Sequence, residues 1–207
     1  MIWLCDNDVI QKLATCDLIE HALELECPPP ACFILPTAKL KYHVAKPDAG
    51  RRKYGEETFR RISDFLLRCE VISEAPPLDL LSRLQVGSID AGEAILYAVG
   101  SLRNDASIVV TGDKNSIRKL SCTPSCSDVA CRLRRRILCF EHLVLRMIDF
   151  HGFDEIKRRC VCGMESDKVL QVAFGSGDLA TEKSALEGLT YYYNELKQSA
   201  GELLCLA

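Results

Sequence analysis

Acidic residues follow two apolar segments that lie far apart in the chain. Asp6 and Asp8 come directly after the apolar run "IWLC", and Asp113 follows "SIVVTG". Between them, the stretch "DAGEA" carries Asp90 and Glu93 near the start of a predicted helix. Residues three apart share one face of a helix, so we expect Asp90 and Glu93 to point the same way. The sequence therefore offers five carboxylates as candidate site residues.

Carboxylates gathered at one place repel one another unless a cation neutralises them. Hard oxygen ligands without nearby His or Cys select Mg²⁺ or Mn²⁺, and these ions assist the hydrolysis of phosphodiesters. A simpler interpretation is that Asp6, Asp90 and Asp113 only cap helices, because each stands where a helix is predicted to begin. Which interpretation holds depends on whether the fold brings the acids together.

The pattern of apolar residues predicts strands that alternate with helices. Strands are predicted at 2–5, 32–36, 69–73, 107–113 and 135–140; helices are predicted within 7–25, from Thr37, at 56–68, at 78–85, at 88–102 with Ser88 as N-cap, from Asn115 and at 141–150. Residues 46–55 are predicted to form a loop because of their Pro, Gly and charge content. This alternation predicts a three-layer α/β/α sandwich with a mostly parallel sheet, whose strand ends would bring the acids to one edge.

The last quarter of the chain has a weaker pattern. "FDEIKRRC" and "LATEKSALEGLTYYYNELKQ" read as helices, and "FGSGD" joins them. We therefore predict a domain at 1–150 followed by a helical C-terminal extension at 151–207, which fits a chain of 207 residues.

Composition limits the class of protein. The net charge of −3 does not indicate general nucleic-acid binding, although basic clusters occur at 50–61 and 131–136. No apolar run approaches the roughly 20 residues of a membrane-spanning helix, and the N-terminus lacks a secretory signal, so we expect a cytoplasmic protein. The 12 cysteines lack the paired CxxC spacing typical of zinc sites and are expected to act as small buried hydrophobic residues.

The ordered series "IWLCDNDVIQKL", "SIDAGEAILYAV" and "SIVVTGDKNSIRKL" resembles the PIN domain nuclease family over about residues 1–150. Asp6, Glu93 and Asp113 match the acids of that family, and Asp8 falls where the family commonly has Asn. The resemblance implies a metal-dependent endoribonuclease that cuts single-stranded RNA. It also implies that Asp6, Glu93 and Asp113 are catalytic and hold Mg²⁺ or Mn²⁺, with Asp8 and Asp90 as auxiliary ligands.

Basic and polar side chains near these motifs are candidates for contact with nucleic acid. They are Arg51, Arg52, Lys53, Lys114 and Asn115, with the basic residues 132–136 as an alternative. The resemblance implies that the chain binds RNA, and we expect no association with a membrane. It leaves open an antitoxin-like protein partner and a homodimer.

One departure from the family pattern supports other interpretations. The family usually has a further acid on the helix after the second strand, but that position here falls near Lys41 or Tyr42. A degenerate, non-catalytic module that binds RNA or protein is therefore an alternative. A second alternative is a haloacid-dehalogenase-like phosphatase, with Asp6 as nucleophile and Asp8 as acid and base, because "CDNDV" and "TGDK" also resemble motifs of that family.

Overall fold

The computed structural model describes residues 1–103 and 106–206, and it contains a central sheet of five parallel strands. The strands are β1 (Ile2–Cys5), β2 (Ala31–Ile34), β3 (Glu70–Val71), β4 (Ser107–Thr111) and β5 (Ile137–Cys139). Their order across the sheet is β3-β2-β1-β4-β5. The predicted parallel sheet is confirmed, and four of its strands are shorter than the sequence suggested.

Helices fill the connections between the strands and the region after the last strand. They are α1 (Asn7–Thr15), α2 (Ile19–Leu23), α3 (Ala38–Lys41), α4 (Pro47–Tyr54), α5 (Glu56–Arg68), α6 (Leu78–Val86), α7 (Ala91–Leu102), α8 (Lys114–Cys122), α9 (Ser127–Arg132), α10 (Phe140–His151), α11 (Phe153–Gly163), α12 (Lys168–Phe174) and α13 (Glu182–Ala200). The predicted helix at 56–68 has the bounds of α5.

Both faces of the sheet are buried, as its apolar strands require. Side chains alternate along a strand, so Trp3 and Cys5 enter one core while Leu4 enters the other. The first core includes apolar residues of α1, α5 and α10, and the second includes those of α6, α7 and α8. The result is the predicted three-layer α/β/α arrangement.

The predicted loop at 46–55 is wrong, because most of this segment is helix α4. Pro47 occupies the first turn, where a missing N–H and a fixed φ do no harm. Gly50 is needed on the buried side, since a Cβ there would overlap the Phe59 ring of α5. Composition suggested a loop, whereas proline and glycine here serve the start and the packing of a helix.

The predicted N-cap Ser88 is also wrong. Ser88 lies in a turn with a φ of 62°, and helix α7 begins three residues later. Asp90 is the N-cap, and its Oδ1 accepts the backbone N–H of Glu93 at 2.9 Å. Glu93 is thereby fixed in the first turn of α7.

Residues after 150 are helical, as predicted, and they pack on the sheet layers. Phe174 of α12 and Leu189 of α13 belong to the same core as Trp3. Leu204 forms a parallel bridge with Ile137 of β5. The division into a domain and an extension near residue 150 stays a prediction. Over the described part of the chain, no helix has the length and apolar character that crossing a membrane would require.

Candidate active site

Strand β1 delivers Asp6 to the carboxyl edge at the centre of the sheet. Asp6 is only 8% exposed and caps α1, since its Oδ2 accepts the backbone N–H of Asp8 at 3.1 Å. Burial raises the pKa of the Asp6 carboxyl to about 6, and the negative charge of Asp8 adds to the shift. Lys41 and the Asp8 N–H oppose that shift without cancelling it.

The neighbouring strand β4 delivers Asp113 to the same edge. Asp113 caps α8, because its Oδ1 accepts the backbone N–H groups of Asn115 at 2.7 Å and Ser116 at 3.2 Å. The preceding Gly112 lies against α1, where an added Cβ would come within 2.5 Å of Asp8 Oδ2. A residue without a side chain therefore lets the β4 turn meet the β1 turn.

The start of helix α7 places Asp90 and Glu93 at this edge of the sheet. Its second residue, Gly92, lies close to Leu35, which directly follows β2. Asp90 stays exposed, whereas Glu93 is only 3% exposed. The first turn of α7 thus places one carboxylate in solvent and one in the protein interior.

Glu93 has the strongest electrostatic signature in this group. Burial, together with the charges of Asp113, Asp90 and Asp6, raises the pKa of its carboxyl to about 8. Ser116 opposes that shift through a hydrogen-bonding contact. The structure therefore brings together Asp6, Asp90, Glu93 and Asp113, which we name the acid cluster.

Two buried hydroxyl groups, those of Ser116 and Tyr97, lie next to Glu93. The Ser116 and Tyr97 hydroxyl groups lie 2.7 Å apart, and Ser116 Oγ also donates to the backbone carbonyl of Asp113 at 2.9 Å. Ser116, rather than the exposed Asn115, is the polar residue after Asp113 that faces the acid cluster. Sequence reasoning missed Tyr97.

Asp8 lies beside the acid cluster but is paired. The Lys12 ammonium lies 2.7 Å from Asp8 Oδ2 and 2.8 Å from Asp167 Oδ2. Burial alone would raise the pKa of Asp167, yet Lys12 and the N–H groups of Val169 and Leu170 hold it below its usual value. Lys12 and Asp167 were missed, although the spacing of Asp8 and Lys12 is that of a helical ion pair.

A second lysine neutralises a second buried acid. Lys114 Nζ lies 2.5 Å from Oε1 of Glu141, at the start of α10, and 4.9 Å from the centre of the Tyr192 ring. Glu141 itself is buried. Of the proposed nucleic-acid contacts, Lys114 is therefore engaged within the protein, while the exposed Asn115 accepts a hydrogen bond from Arg118 at 3.2 Å.

The PIN family usually has a further acid at the position that falls near Lys41 or Tyr42 here. This position lies at the end of α3 and contacts the region around Asp6. Tyr42 is buried and donates a hydrogen bond to the backbone carbonyl of Asn7. Lys41 is exposed, and its positive charge lowers the pKa of Asp6. A cationic side chain therefore acts on Asp6 from this helix.

The two basic clusters lie at different places. Helix α4, which carries Arg51, Arg52 and Lys53, is tied to α3 by the Tyr54 hydroxyl, which donates to the Lys41 carbonyl at 3.1 Å. Arg51 pairs with the exposed Asp48 and Glu56. Residues 132–136 instead precede β5 at the amino edge, where Arg136 Nε donates to the Ser107 carbonyl at 2.8 Å.

Capping and metal binding are compatible at these carboxylates. Helix capping occupies Oδ2 of Asp6, Oδ1 of Asp90 and Oδ1 of Asp113, so these bonds leave the second oxygen of each group unused. Asn7 adds a buried Oδ1 for which the described residues supply no hydrogen-bond partner. Within residues 1–103 and 106–206, no three His, Cys, Asp or Glu side chains already form a metal-holding group. The chemistry and charge of the donors fit Mg²⁺ or Mn²⁺, and side-chain adjustment would be needed to chelate it.

Comparison with known proteins gives no relative from which to transfer a function. The chain matches no protein-family model, no curated protein and no solved structure. The chemistry of this site must therefore be inferred from the residues themselves.

Proposed function

We propose that the protein is a metal-dependent endoribonuclease whose acid cluster holds Mg²⁺ or Mn²⁺. The observation that carries the proposal is Glu93, a buried carboxylate whose pKa is raised to about 8 by burial and by the charges of three neighbouring acids. Such an arrangement is unfavourable in the ionised state unless a cation neutralises it. A divalent ion would remove the repulsion and make the site useful for phosphodiester chemistry.

Each residue has a distinct part in this proposal. Asp6, Glu93 and Asp113 would hold the ion, which supplies an activated water and stabilises charge on the phosphate. Ser116 orients Glu93, and the capping bonds of Asp6 and Asp113 fix their carboxylates relative to the sheet. Asp90 and Asp8 stand at the margin as auxiliary acids, and Asp8 already has Lys12 as its counter-ion.

A basic surface beside the acid cluster suits an RNA backbone. Residues 37–54, which include α3 and α4, carry one acid and six exposed basic residues, namely Lys39, Lys41, Lys46, Arg51, Arg52 and Lys53. Lysine and arginine bind phosphates without reading bases, which agrees with a nuclease of low sequence selectivity. Single-stranded RNA as the substrate rests on the family resemblance, and an antitoxin-like partner and a homodimer stay predictions.

A non-catalytic RNA-binding module is a second candidate, and Lys41 is the observation that favours it. Its positive charge acts on Asp6 from the helix where the PIN family usually has an acid. A resident cation at that position weakens the attraction for a metal ion. The basic surface of α3 and α4 would bind RNA equally well without cleavage.

Cleavage of a fluorescently labelled single-stranded RNA tests the proposal. We expect purified protein to cut it with Mn²⁺ or Mg²⁺ and to stop when EDTA is added. Asp6→Asn should abolish cleavage, whereas Asp64→Asn, which removes an exposed acid of α5, should not. Binding of the RNA without metal-dependent cleavage would favour the non-catalytic module. Equal cleavage by Asp6→Asn would contradict the assignment of the site.

A further inference from the structure

Three cysteines of neighbouring strands border one core and form a diagonal row, in which Cys5 lies two positions beyond Trp3, the residue opposite Cys32. Cys5 ends β1, Cys32 lies in β2, and Cys69 directly precedes β3. Phe33 is opposite Glu70 in the sheet, so the residues before them, Cys32 and Cys69, are neighbours. The thiols of Cys5 and Cys69 both act to lower the pKa of Cys32, whose own Sγ donates to the Pro30 carbonyl at 3.6 Å.

The row is open to solvent at one end only. Cys5 is buried and Cys32 is 8% exposed, whereas Cys69 is half-buried. Cys32 and Cys69 line a surface cleft of about 190 Å³ together with Arg68 and Phe65. A small reagent in this cleft would therefore meet Cys69 first and find Cys32 directly behind it.

The surroundings of the pair favour a thiolate. Hydrogen bonds from Cys5 and Cys69 hold the pKa of Cys32 well below its usual value, and the positive charge of Arg68 acts in the same direction. Arg68 also lowers the pKa of Cys69, against the larger effects of its hydrogen bond to Cys32 and of burial. One thiolate shared between neighbouring sulfurs is the state from which thiol–disulfide exchange begins.

We propose that Cys32 and Cys69 are a dithiol site that a low-molecular-weight disulfide, such as oxidised glutathione, converts into an internal disulfide. Cys69, the accessible sulfur, passes its proton to the Cys32 thiolate and attacks one sulfur of the reagent. A mixed disulfide forms on Cys69, and the glutathione thiolate that leaves takes up the proton from Cys32. The Cys32 thiolate then attacks the Cys69 sulfur and releases the second glutathione. The protein loses two electrons and two protons, and both are recovered in two molecules of reduced glutathione.

The backbone geometry is suited to this bond. Adjacent strands lie about 4.8 Å apart, within the range of about 4.4–6.8 Å between Cα atoms that disulfides span. Both cysteines have little freedom to separate, because β2 pairs with β3 immediately after them. The bond would link β2 to the end of α5 and leave Asp6, Glu93 and Asp113 chemically unchanged.

Peptide mapping tests this proposal on the full-length protein. The folded, reduced chain is incubated with oxidised glutathione, the remaining thiols are alkylated, and the unreduced protein is digested with trypsin. We expect a linked pair of peptides covering residues 13–39 and 69–83, which dithiothreitol separates. Fragmentation of the pair should place the bond at Cys32 rather than at Cys16 or Cys27.

Variants separate the two steps. Cys32→Ser should stop at the mixed disulfide and keep one glutathione on Cys69, and Cys69→Ser should form no linked pair. Cys27→Ser removes an exposed cysteine of the same peptide and should form the link as readily as the native chain. Should Cys32→Ser fail to fold, fragmentation of the native product and the Cys69→Ser result still decide. Glutathione added only to the exposed cysteines, or a link from Cys69 to any other cysteine, would overturn the proposal.

Discussion

Two sets of acids share the carboxyl edge of the sheet, and they differ in what neutralises them. In the paired set, Lys12 bridges Asp8 and Asp167, and Lys114 contacts Glu141. In the acid cluster, the Glu93 carboxyl meets the charges of three other acids, and the pKa of Glu93 is raised to about 8. The pKa of Asp167 moves the opposite way, below its usual value.

The comparison distinguishes acids that complete the fold from acids that await a ligand. A buried carboxylate with a lysine beside it is neutral as a pair, and removing either partner leaves an uncompensated charge. Glu93 is as buried as Glu141, and its main charged neighbours are acids, so it either holds a proton or requires an external cation. The paired set therefore serves structure, and the acid cluster is the candidate for function.

Removing the counter-ion of the paired set should have the largest effect on stability. Lys12→Met leaves Asp8 and the mostly buried Asp167 without their shared cation. We expect the free energy of unfolding at neutral pH to fall by about 2–4 kcal/mol, measured by urea denaturation. Lys39→Met, which removes an exposed lysine of α3, should change it by less than about 0.5 kcal/mol. If both substitutions lowered the free energy of unfolding equally, Lys12 would not be neutralising the acids of the paired set.

In the acid cluster, an ionised carboxylate should lower the free energy of unfolding, so we expect stability to fall as Glu93 loses its proton. The folded-state pKa of Glu93 is raised from its usual value of 4.5 to about 8, so the folded protein keeps a proton that the unfolded chain has released. Stability contributed by this group is therefore present at low pH and is lost as pH rises from about 4.5 through 8. In EDTA, we expect the native protein to lose on the order of 1–3 kcal/mol more than Glu93→Gln between pH 5 and pH 9. If the free energy of unfolding had the same pH dependence in both proteins, the pKa of Glu93 would not be raised in the folded state.

Asp8→Asn should have the smallest effect on activity, because Asp8 belongs to the paired set. The change restores the residue common in the PIN family, and we expect RNA cleavage to stay within about tenfold of the native rate. A phosphatase that used Asp8 as acid and base would instead lose about 10²–10⁴-fold. Assays of this variant on single-stranded RNA and on a phosphate monoester distinguish the two. A monoesterase activity that disappears in Asp8→Asn, with no RNA cleavage by either protein, would favour the phosphatase.

The elements that carry the acids could be predicted because their signals are local. "IWLC" and "SIVVT" are short apolar runs that end in acids, and the parallel sheet places their carboxyl ends together. The capping roles of Asp6, Asp90 and Asp113 were predictable for the same reason, and all three are confirmed.

The partners of the acids could not be predicted because they depend on tertiary contacts. Asp167 reaches Lys12 only because α12, a helix that the sequence did not predict, packs into the same core as α1. The contact of Tyr97 with Ser116 joins α7 to α8, and no spacing within α7 reveals it. Helix α4 was predicted as a loop because it contains proline and glycine. The packing of its glycine against α5 is a tertiary contact that the sequence does not reveal.

Calorimetric titration of Mn²⁺ into the native protein and into Glu93→Gln tests the central claim most directly. At about pH 8.5 and in the absence of RNA, we expect the native chain to bind the ion and Glu93→Gln to bind it at least about tenfold more weakly. Asp64→Asn, which neutralises an exposed acid of α5, serves as the control and should bind as well as the native chain. Absence of Mn²⁺ binding by the native protein, or equal affinity in Glu93→Gln, would contradict the assignment of the acid cluster as a metal site.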